Sequence, residues 1–216
     1  MSDVIPLLPD LSFEDAETGL IAGVDEAGRG PFAGPVVAAA VILDRRNIPT
    51  GIADSKKIPR AKREILFTQI IETCHVGTGE ASVEEIDQLN ILQASLLAMR
   101  RAVDALPGRP DVALIDGNRD PKLGVASRLI VGGDARCLSI AAASIVAKVT
   151  RDRKMCELAA EFPHYGWDKN AGYGTAEHRK GLRLFGVTPQ HRRSFAPIRA
   201  LLDADQEEVQ ESSITY

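Results

Sequence analysis

The chain has 216 residues with a hydrophobic content of 44%, which suits one α/β domain with a sizeable core and excludes wholesale disorder. Its three cysteines are scattered, which excludes a disulfide-rich secreted scaffold and favours reduced thiols in the cytoplasm. Residues 1–15 lack a basic n-region and the longest apolar run, 36–43, is too short to cross a bilayer, so neither a signal peptide nor a membrane partner is predicted.

The net charge of −4 is distributed unevenly. Residues 1–20 and 203–216 each carry five acids and no Lys or Arg, which leaves +6 for residues 21–202. Residues 145–202 hold eleven basic and five acidic side chains. The sequence therefore predicts mobile acidic extensions at 1–20 and 203–216 around a domain at 21–202, with a basic C-terminal part suited to phosphates. An ordinary mixed-charge helical surface explains that basic excess equally well.

The first elements in chain order are two apolar runs of strand length, 21–24 and 36–43, joined by a glycine-rich turn. The first run ends in two adjacent acids, Asp25 and Glu26. Two carboxylates there repel each other and lose hydration unless a cation or a proton compensates, so a divalent metal is expected. The alternative is a solvated pair of acids in a loop, which the preceding strand and the following glycines disfavour.

The apolar spacing of the remaining chain predicts helices at 59–73, 90–106, 138–162, 175–185 and 197–202, and strands at 75–82, 111–117 and 126–131. The helix at 138–162 starts with small residues, which allow a close approach to a sheet. Two further acids, Asp116 and Asp134, lie at or just past strand ends. In an open α/β sheet, chemistry gathers at such ends.

Four acids thus form the candidate catalytic set: Asp25, Glu26, Asp116 and Asp134. The sequence contains no HExxH, GxSxG, P-loop or GxGxxG pattern. A carboxylate-only cluster selects oxygen-loving cations, so Mg²⁺ or Mn²⁺ is expected rather than zinc. Such clusters commonly perform phosphoryl chemistry with two ions about 4 Å apart.

Long motifs in a fixed order make the chain resemble bacterial ribonuclease HII, a type 2 ribonuclease H. They are GVDEAGRGPFAGPVV from Gly23, IADSKK from Ile52, EIDQLNIL from Glu85, LIDGNRDPKL from Leu114, GGD with SIAAASIVAKVTRD to Asp152, GYGT from Gly172 and HRRSFAPI from His191. The sister type, ribonuclease HIII, has a large N-terminal binding domain, whereas only residues 1–20 precede the first strand here. Pro59 stands where the family often has a Ser or Thr cap, which changes capping rather than chemistry.

The resemblance implies a ribonuclease H-like fold, in which a mixed sheet is flanked by helices and followed by a helical C-terminal part. It implies an endoribonuclease that cleaves RNA in RNA–DNA hybrids and nicks DNA duplexes on the 5′ side of single embedded ribonucleotides. The products carry a 3′-hydroxyl and a 5′-phosphate, and the activity serves ribonucleotide removal in replication and repair. The four acids would bind two Mg²⁺ or Mn²⁺ ions in the substrate complex.

The resemblance also implies how the substrate is read. Gly28, Arg29 and Gly30 match a ribose-sensing turn whose backbone approaches the 2′-hydroxyl, and Tyr173 matches a tyrosine that packs on the neighbouring deoxyribose. The alternatives are a tight turn that merely needs glycine and a core tyrosine. The implied phosphate contacts are Lys56, Lys57, Lys148 and Arg192. Their alternatives are a solvated charged surface or, for Lys148, a helix pair with Asp152.

The expected partners are an RNA–DNA hybrid and a ribonucleotide-containing DNA duplex, bound by a monomer. The tail QEEVQESSITY lacks the paired aromatic or leucine residues of clamp-binding motifs, so the sequence leaves sliding-clamp association open. Two other functions are compatible with the pattern. One is a different two-metal phosphatase or nuclease that ignores hybrid duplexes, and the other is a non-catalytic module that binds duplexes without cutting them.

Overall fold

The computed structural model describes the backbone of residues 8–213 and the side chains of residues 8–204. Its centre is a five-stranded mixed sheet in the order β3-β2-β1-β4-β5. The strands are β1 (Ile21–Ala27), β2 (Val36–Ile42), β3 (His75–Ala81), β4 (Val112–Asp116) and β5 (Ala126–Ile130). β2 pairs antiparallel with β1 and β3, whereas β4 pairs parallel with β1 and β5. Strand β1 is therefore central.

Helices cover both faces of this sheet. Within the described residues they are α1 (Ser12–Asp15), α2 (Arg60–Thr73), α3 (Val83–Leu89), α4 (Ile91–Asp104), α5 (Leu138–Glu161), α6 (Trp167–Asn170), α7 (Ala176–Phe185) and α8 (Ala196–Ser213). Helix α4 packs on one face, α5 and α2 pack on the other, and the last three helices form the C-terminal part. The predicted mixed sheet with flanking helices and a helical C-terminal part is confirmed. No helix in residues 8–213 is long and apolar enough to cross a membrane.

The sheet is apolar on both faces because helices cover both. In β2, Ala38 and Ala40 pack in the core under α4, whereas Ala39 and Val41 pack under α5. A Cβ atom on Gly23 of β1 would collide with the backbone of Ser139 at the start of α5. The predicted close approach of the small-residue helix to the sheet is therefore present, and it places the turn before α5 beside β1.

Several elements differ from the expected pattern: α1, α3 and α6 were not predicted, and α8 is longer than predicted. Helix α3 was not predicted, although Ser82 and Glu85 form a capping box in which each side chain accepts a hydrogen bond from the other's backbone N–H, at 3.2 and 2.9 Å. The S-x-x-E spacing is the sequence signal for such a helix start. Helix α8 continues beyond residue 202 to Ser213, into the segment predicted as an acidic tail.

The described part of the N-terminal extension is packed against the domain. The carboxylate of Glu14 is buried and accepts a hydrogen bond from Ser139 N–H at 2.7 Å, so it caps the start of α5. Leu138 N–H donates to the carbonyl of Asp10 at 3.0 Å. The prediction of a mobile extension is therefore wrong for residues 10–17. The rest of that prediction, for residues 1–7 and 214–216, lies outside the described residues.

Candidate active site

All four predicted acids meet at one edge of the sheet. Val24 pairs with Ile115 in the parallel ladder between β1 and β4, so Asp25 and Asp116 follow side by side. Asp134 lies in the 3₁₀ turn after β5, where it is buried. Glu26 follows Asp25, and its side chain is only 10% exposed.

Electrostatic repulsion and burial act on these acids together. Burial raises the pKa of Asp25 well above its usual value, and the charges of Glu26 and Asp116 raise it further. Burial also raises the pKa of Asp116. For Glu26, burial raises the pKa against the opposing effect of the Arg29 guanidinium, whose Nη1 lies 3.2 Å from Glu26 Oε1. Such a cluster favours a bound cation.

Among the side chains of residues 8–204, two basic ones contact the acids, Arg29 on Glu26 and Lys56 on Asp134. The Nζ atom of Lys56 lies 3.5 Å from Asp134 Oδ2. Partial burial lowers the pKa of Lys56, but the carboxylates of Asp134, Asp25 and Asp54 outweigh that effect and raise it.

The donor chemistry of the acids fits a hard divalent cation. Within the described residues, no three His, Cys, Asp or Glu side chains are already spaced as a metal-coordination shell. All donors in the cluster are nevertheless carboxylate oxygens, the ligands that Mg²⁺ and Mn²⁺ prefer. By donor chemistry, the four acids therefore suit such ions.

The predicted ribose-sensing turn and the predicted junction tyrosine lie side by side. Gly28, Arg29, Gly30 and Tyr173 line a cleft of about 250 Å³ that also includes Glu26. Tyr173 is 48% exposed, so it is not a core tyrosine. A Cβ atom on Gly30 would lie 3.4 Å from Tyr173 Cε1. The structure thus brings the backbone turn, the aromatic ring and the carboxylate of Glu26 to one cleft.

The predicted lysines differ in their positions. Lys56 and Lys148 line the same cleft, although Lys148 is paired with Asp152 at 2.6 Å, as the alternative helix pair required. Lys57 is exposed outside the cleft, with its Nζ atom 3.8 Å from Asp54 Oδ2. Lys56 therefore has the position best suited to a phosphate near the acids.

The prediction that Arg192 contacts phosphate is wrong. The residue is fully buried, and its guanidinium donates hydrogen bonds to backbone carbonyls of the 28–35 turn. Arg151 is also buried beneath this turn. Two of the eleven basic residues in 145–202 therefore belong to the interior and not to a basic face.

A second cleft, of about 260 Å³, adjoins the acids and was not predicted. Glu26, Arg29 and Asp116 form one side, and Asn118 and Arg119 lie on the loop that follows β4. Apolar side chains of α4 complete the lining: Leu92, Leu96 and Met99. The sequence signal was the position of Asn118 and Arg119 directly after a strand-end acid.

A buried pair of histidines supports the Tyr173 loop. Thr188 N–H donates to His191 Nδ1 at 2.9 Å, so His191 carries its proton on Nε2 and donates to His178 Nε2 at 3.0 Å. Trp167 Nε1–H donates to the same nitrogen at 3.1 Å, and His178 Nδ1–H donates to the carbonyl of Tyr173 at 3.0 Å. Both rings are therefore neutral in this network.

This network predicts acid sensitivity. Burial lowers the pKa of His191 to about 3, with a further contribution from His178. The unfolded chain binds the extra proton between about pH 6.5 and pH 3, so stability falls as the pH falls through that window. In denaturant unfolding, His191 should lower the free energy of unfolding of the wild type by up to about 1.4 kcal/mol for each pH unit of that fall. The variant His191→Gln should show a weaker pH dependence. Parallel pH profiles for the two proteins would contradict this prediction.

Comparisons with known proteins agree with this fold. A family model described as Ribonuclease HII matches residues 22–198. Ribonuclease HII from Magnetococcus marinus is 60% identical over 203 residues, covering 90% of this chain and 95% of that protein. The ribonuclease H2 structure from Pyrococcus horikoshii has a TM-score of 0.72 at 28% identity and covers 85% of this chain and 97% of its own. RNase HII from Archaeoglobus fulgidus, solved in a complex with PCNA, has a TM-score of 0.70 at 26% identity and covers 80% and 93%.

The mixed sheet with acids at the ends of its central strands, together with these matches, defines an endoribonuclease of the type 2 ribonuclease H class. The chain belongs to the ribonuclease HII family. Its general activity is accordingly the metal-dependent ribonuclease H activity of that family.

Proposed function

We propose that residues 21–202 form a catalytic domain that cleaves RNA in RNA–DNA hybrids and nicks DNA duplexes on the 5′ side of single embedded ribonucleotides. The observation that carries this proposal is the shared cleft of Glu26, the 28–30 turn and Tyr173. A 2′-hydroxyl distinguishes RNA from DNA, and here a backbone turn able to reach it adjoins the carboxylates. The activity would serve ribonucleotide removal in replication and repair.

The four acids would hold two Mg²⁺ or Mn²⁺ ions when substrate is bound. Bound ions of this kind supply charge compensation and activate water for in-line phosphodiester hydrolysis, which leaves a 3′-hydroxyl and a 5′-phosphate. The protein orients the carboxylates through its backbone. Glu26 N–H donates to Asp25 Oδ1 at 2.7 Å, and Gly133 N–H donates to Asp116 Oδ1 at 2.7 Å. One carboxylate oxygen of Asp25 and one of Asp116 are thus held by the backbone, which orients the second oxygen of each.

The proposed partner is a nucleic-acid duplex bound by a monomer. Lys56, Lys57 and Lys148 are the proposed phosphate contacts, and Lys56 combines cleft position with a 79% exposed side chain. The Archaeoglobus fulgidus protein was solved with PCNA. The tail of this chain has no recognisable clamp-binding motif, so a clamp partner is not part of the proposal.

Replacing Lys56 by Ala should weaken binding to every duplex similarly and lower the salt slope by roughly one unit, because one phosphate contact is lost. Affinities measured over a range of salt concentrations, with Ca²⁺ in place of Mg²⁺ to limit cleavage, give this slope. Lys154→Ala is the matched control, since Lys154 lies on α5 and contacts Glu157 at 3.7 Å. An unchanged slope for Lys56→Ala would show that its amine meets no phosphate.

The test of the proposed function is end mapping on three labelled substrates: an RNA–DNA hybrid, a DNA duplex with one ribonucleotide, and single-stranded RNA. The expected result is internal cleavage of the first two, with the nick 5′ of the ribonucleotide and a 3′-hydroxyl end. Hydrolysis of small phosphate esters without duplex cleavage would favour another two-metal phosphatase. Binding without cleavage would favour a duplex-binding module.

A further inference from the structure

The buried guanidinium of Arg192 contacts the inner side of the ribose-sensing turn. Its Nε donates to the carbonyl of Gly34 at 2.9 Å, its Nη1 to Arg29 at 3.0 Å, and its Nη2 to Gly28 at 2.6 Å and Pro35 at 3.2 Å. Within residues 8–204 it forms no salt bridge with a carboxylate. The carbonyl dipoles of the turn are therefore its immediate partners.

These contacts fix the direction of two peptide N–H groups. In a trans peptide, the C=O and the N–H point in opposite directions, and the described residues contain no cis peptide. The carbonyls of Gly28 and Arg29 point inward to Arg192, so the N–H groups of Arg29 and Gly30 point away from it, toward the cleft. Neither N–H group donates a hydrogen bond within the described part of the chain. The turn thus presents two free donors.

Arg151 connects the same turn to the Tyr173 loop. Its Nε donates to the carbonyl of Pro35 at 2.9 Å, its Nη2 to Ala33 at 3.1 Å, and its Nη1 to Ala171 at 2.9 Å. Ala171 lies two residues before Tyr173. A Cβ atom on Gly28, whose φ is +99°, would collide with the Arg151 guanidinium. Glycine at this position therefore allows the turn to lie directly on the buried cation.

This arrangement is costly, since two guanidinium groups are buried near each other. Burial lowers the pKa of Arg151 to about 10. Burial lowers the pKa of Arg192 to about 9, with a contribution from the positive charge of Arg151. Both remain protonated at neutral pH. A buried charge needs hydrogen-bond partners on all sides, which holds the turn carbonyls inward.

We infer that Arg192 and Arg151 are positioning residues that turn the N–H groups of Arg29 and Gly30 outward as donors to the 2′-oxygen of a ribonucleotide. The inference rests on the proposed function and specifies its recognition step. Both side chains are buried beneath the turn, so their proposed role is to position it rather than to bind the substrate. Arg192 sets the direction of the donors, and Arg151 fixes their register to Tyr173. Selection for ribose therefore depends on two buried cations as well as on the exposed turn.

The test compares Arg192→Lys and Arg151→Lys with the wild type. Lysine keeps the charge, but its single ammonium cannot span the carbonyls that the guanidinium contacts. Binding is measured in Ca²⁺ to two duplexes that differ only by one ribonucleotide. Each variant should lose about tenfold or more of the ribonucleotide preference, corresponding to about 1.4 kcal/mol, while affinity for all-DNA duplex stays within about twofold. A purely structural role would lower both affinities together.

The matched control is Arg153→Lys. Arg153 lies on α5, as Arg151 does, but it is half-exposed and pairs with Glu64. It should keep the preference. If the folded Arg192→Lys and Arg151→Lys proteins keep the preference for the ribonucleotide duplex, the inference is overturned but the proposed function is not. Absence of preference in the wild type would overturn the proposed function as well.

A second measurement uses the wild-type protein and does not depend on the variants folding. The Arg29 and Gly30 amides should exchange rapidly with solvent in the free protein. The ribonucleotide duplex should protect them, and the all-DNA duplex should not. Slow exchange in the free protein, or equal protection by both duplexes, would contradict the outward orientation of these donors.

Discussion

Asn in place of Asp25 is expected to lower the rate of RNA–DNA hybrid cleavage by several orders of magnitude, on the scale of metal-assisted rate enhancements. Asp25 is buried on the strand next to the one that carries Asp116, and both carboxylates belong to the proposed metal-binding set. Single-turnover cleavage at saturating Mg²⁺ measures the effect. Asp104→Asn is the control, because Asp104 is exposed at the end of α4, away from the acids. Near-normal cleavage by Asp25→Asn would falsify the assignment.

The same substitution should not lower the melting temperature of the metal-free protein. The folded-state pKa of Asp25 is raised, so the folded protein binds the proton more tightly than the unfolded chain and stability is lost as the pH rises through that pKa. A neutral amide removes this loss, as expected for a site whose charges serve function rather than stability. A large drop in melting temperature near neutral pH would show that the Asp25 carboxylate stabilises the fold.

Removing the Tyr173 ring is expected to lower kcat/KM on a duplex with one ribonucleotide by roughly tenfold to a hundredfold, the scale of a lost stacking contact. Activity on a long RNA–DNA hybrid should fall less, because a deoxyribose after the ribonucleotide exists only at a junction. Tyr173 is half-exposed, so Tyr173→Ala removes little packing.

Leu184→Ala is a suitable control for Tyr173→Ala, because Leu184 is an exposed apolar residue on α7. It should change neither substrate's kcat/KM. If Tyr173→Ala lowers both values by one common factor, Tyr173 does not sense the junction and is better described as a general structural residue of the cleft.

The sequence sufficed to predict that the acids cluster, because the signals there are local. Asp25 and Asp116 each end an apolar run of strand length, and neighbouring parallel strands bring such ends together. Strand β1 extends through both of its acids to Ala27, whereas the predicted run ended at residue 24. The predicted end of the strand was therefore too early, although the acids do lie at the end of β1 that adjoins the end of β4. Element boundaries depend on tertiary pairing, which a local pattern does not contain.

Arg192 shows what a local pattern leaves out. An arginine in a basic cluster resembles a phosphate contact, but its burial follows from carbonyls at 28–35, far away in sequence. Glu14 is a similar case, since an acid in an acidic extension became a helix cap only through Ser139. For both residues the charge can be read from the sequence. The partner that determines the role of the residue is distant in sequence, so only the folded structure shows it.

The most direct test of the central claim is the rate of strand cleavage in two DNA duplexes of identical sequence, one with a single ribonucleotide and one without, each measured with Mg²⁺ and with a chelator. The proposed carboxylate site beside the proposed ribose-sensing turn predicts one nick, on the 5′ side of the ribonucleotide, only in the ribonucleotide duplex and only with the metal. Cleavage of both duplexes, or cleavage that persists in the chelator, would contradict it.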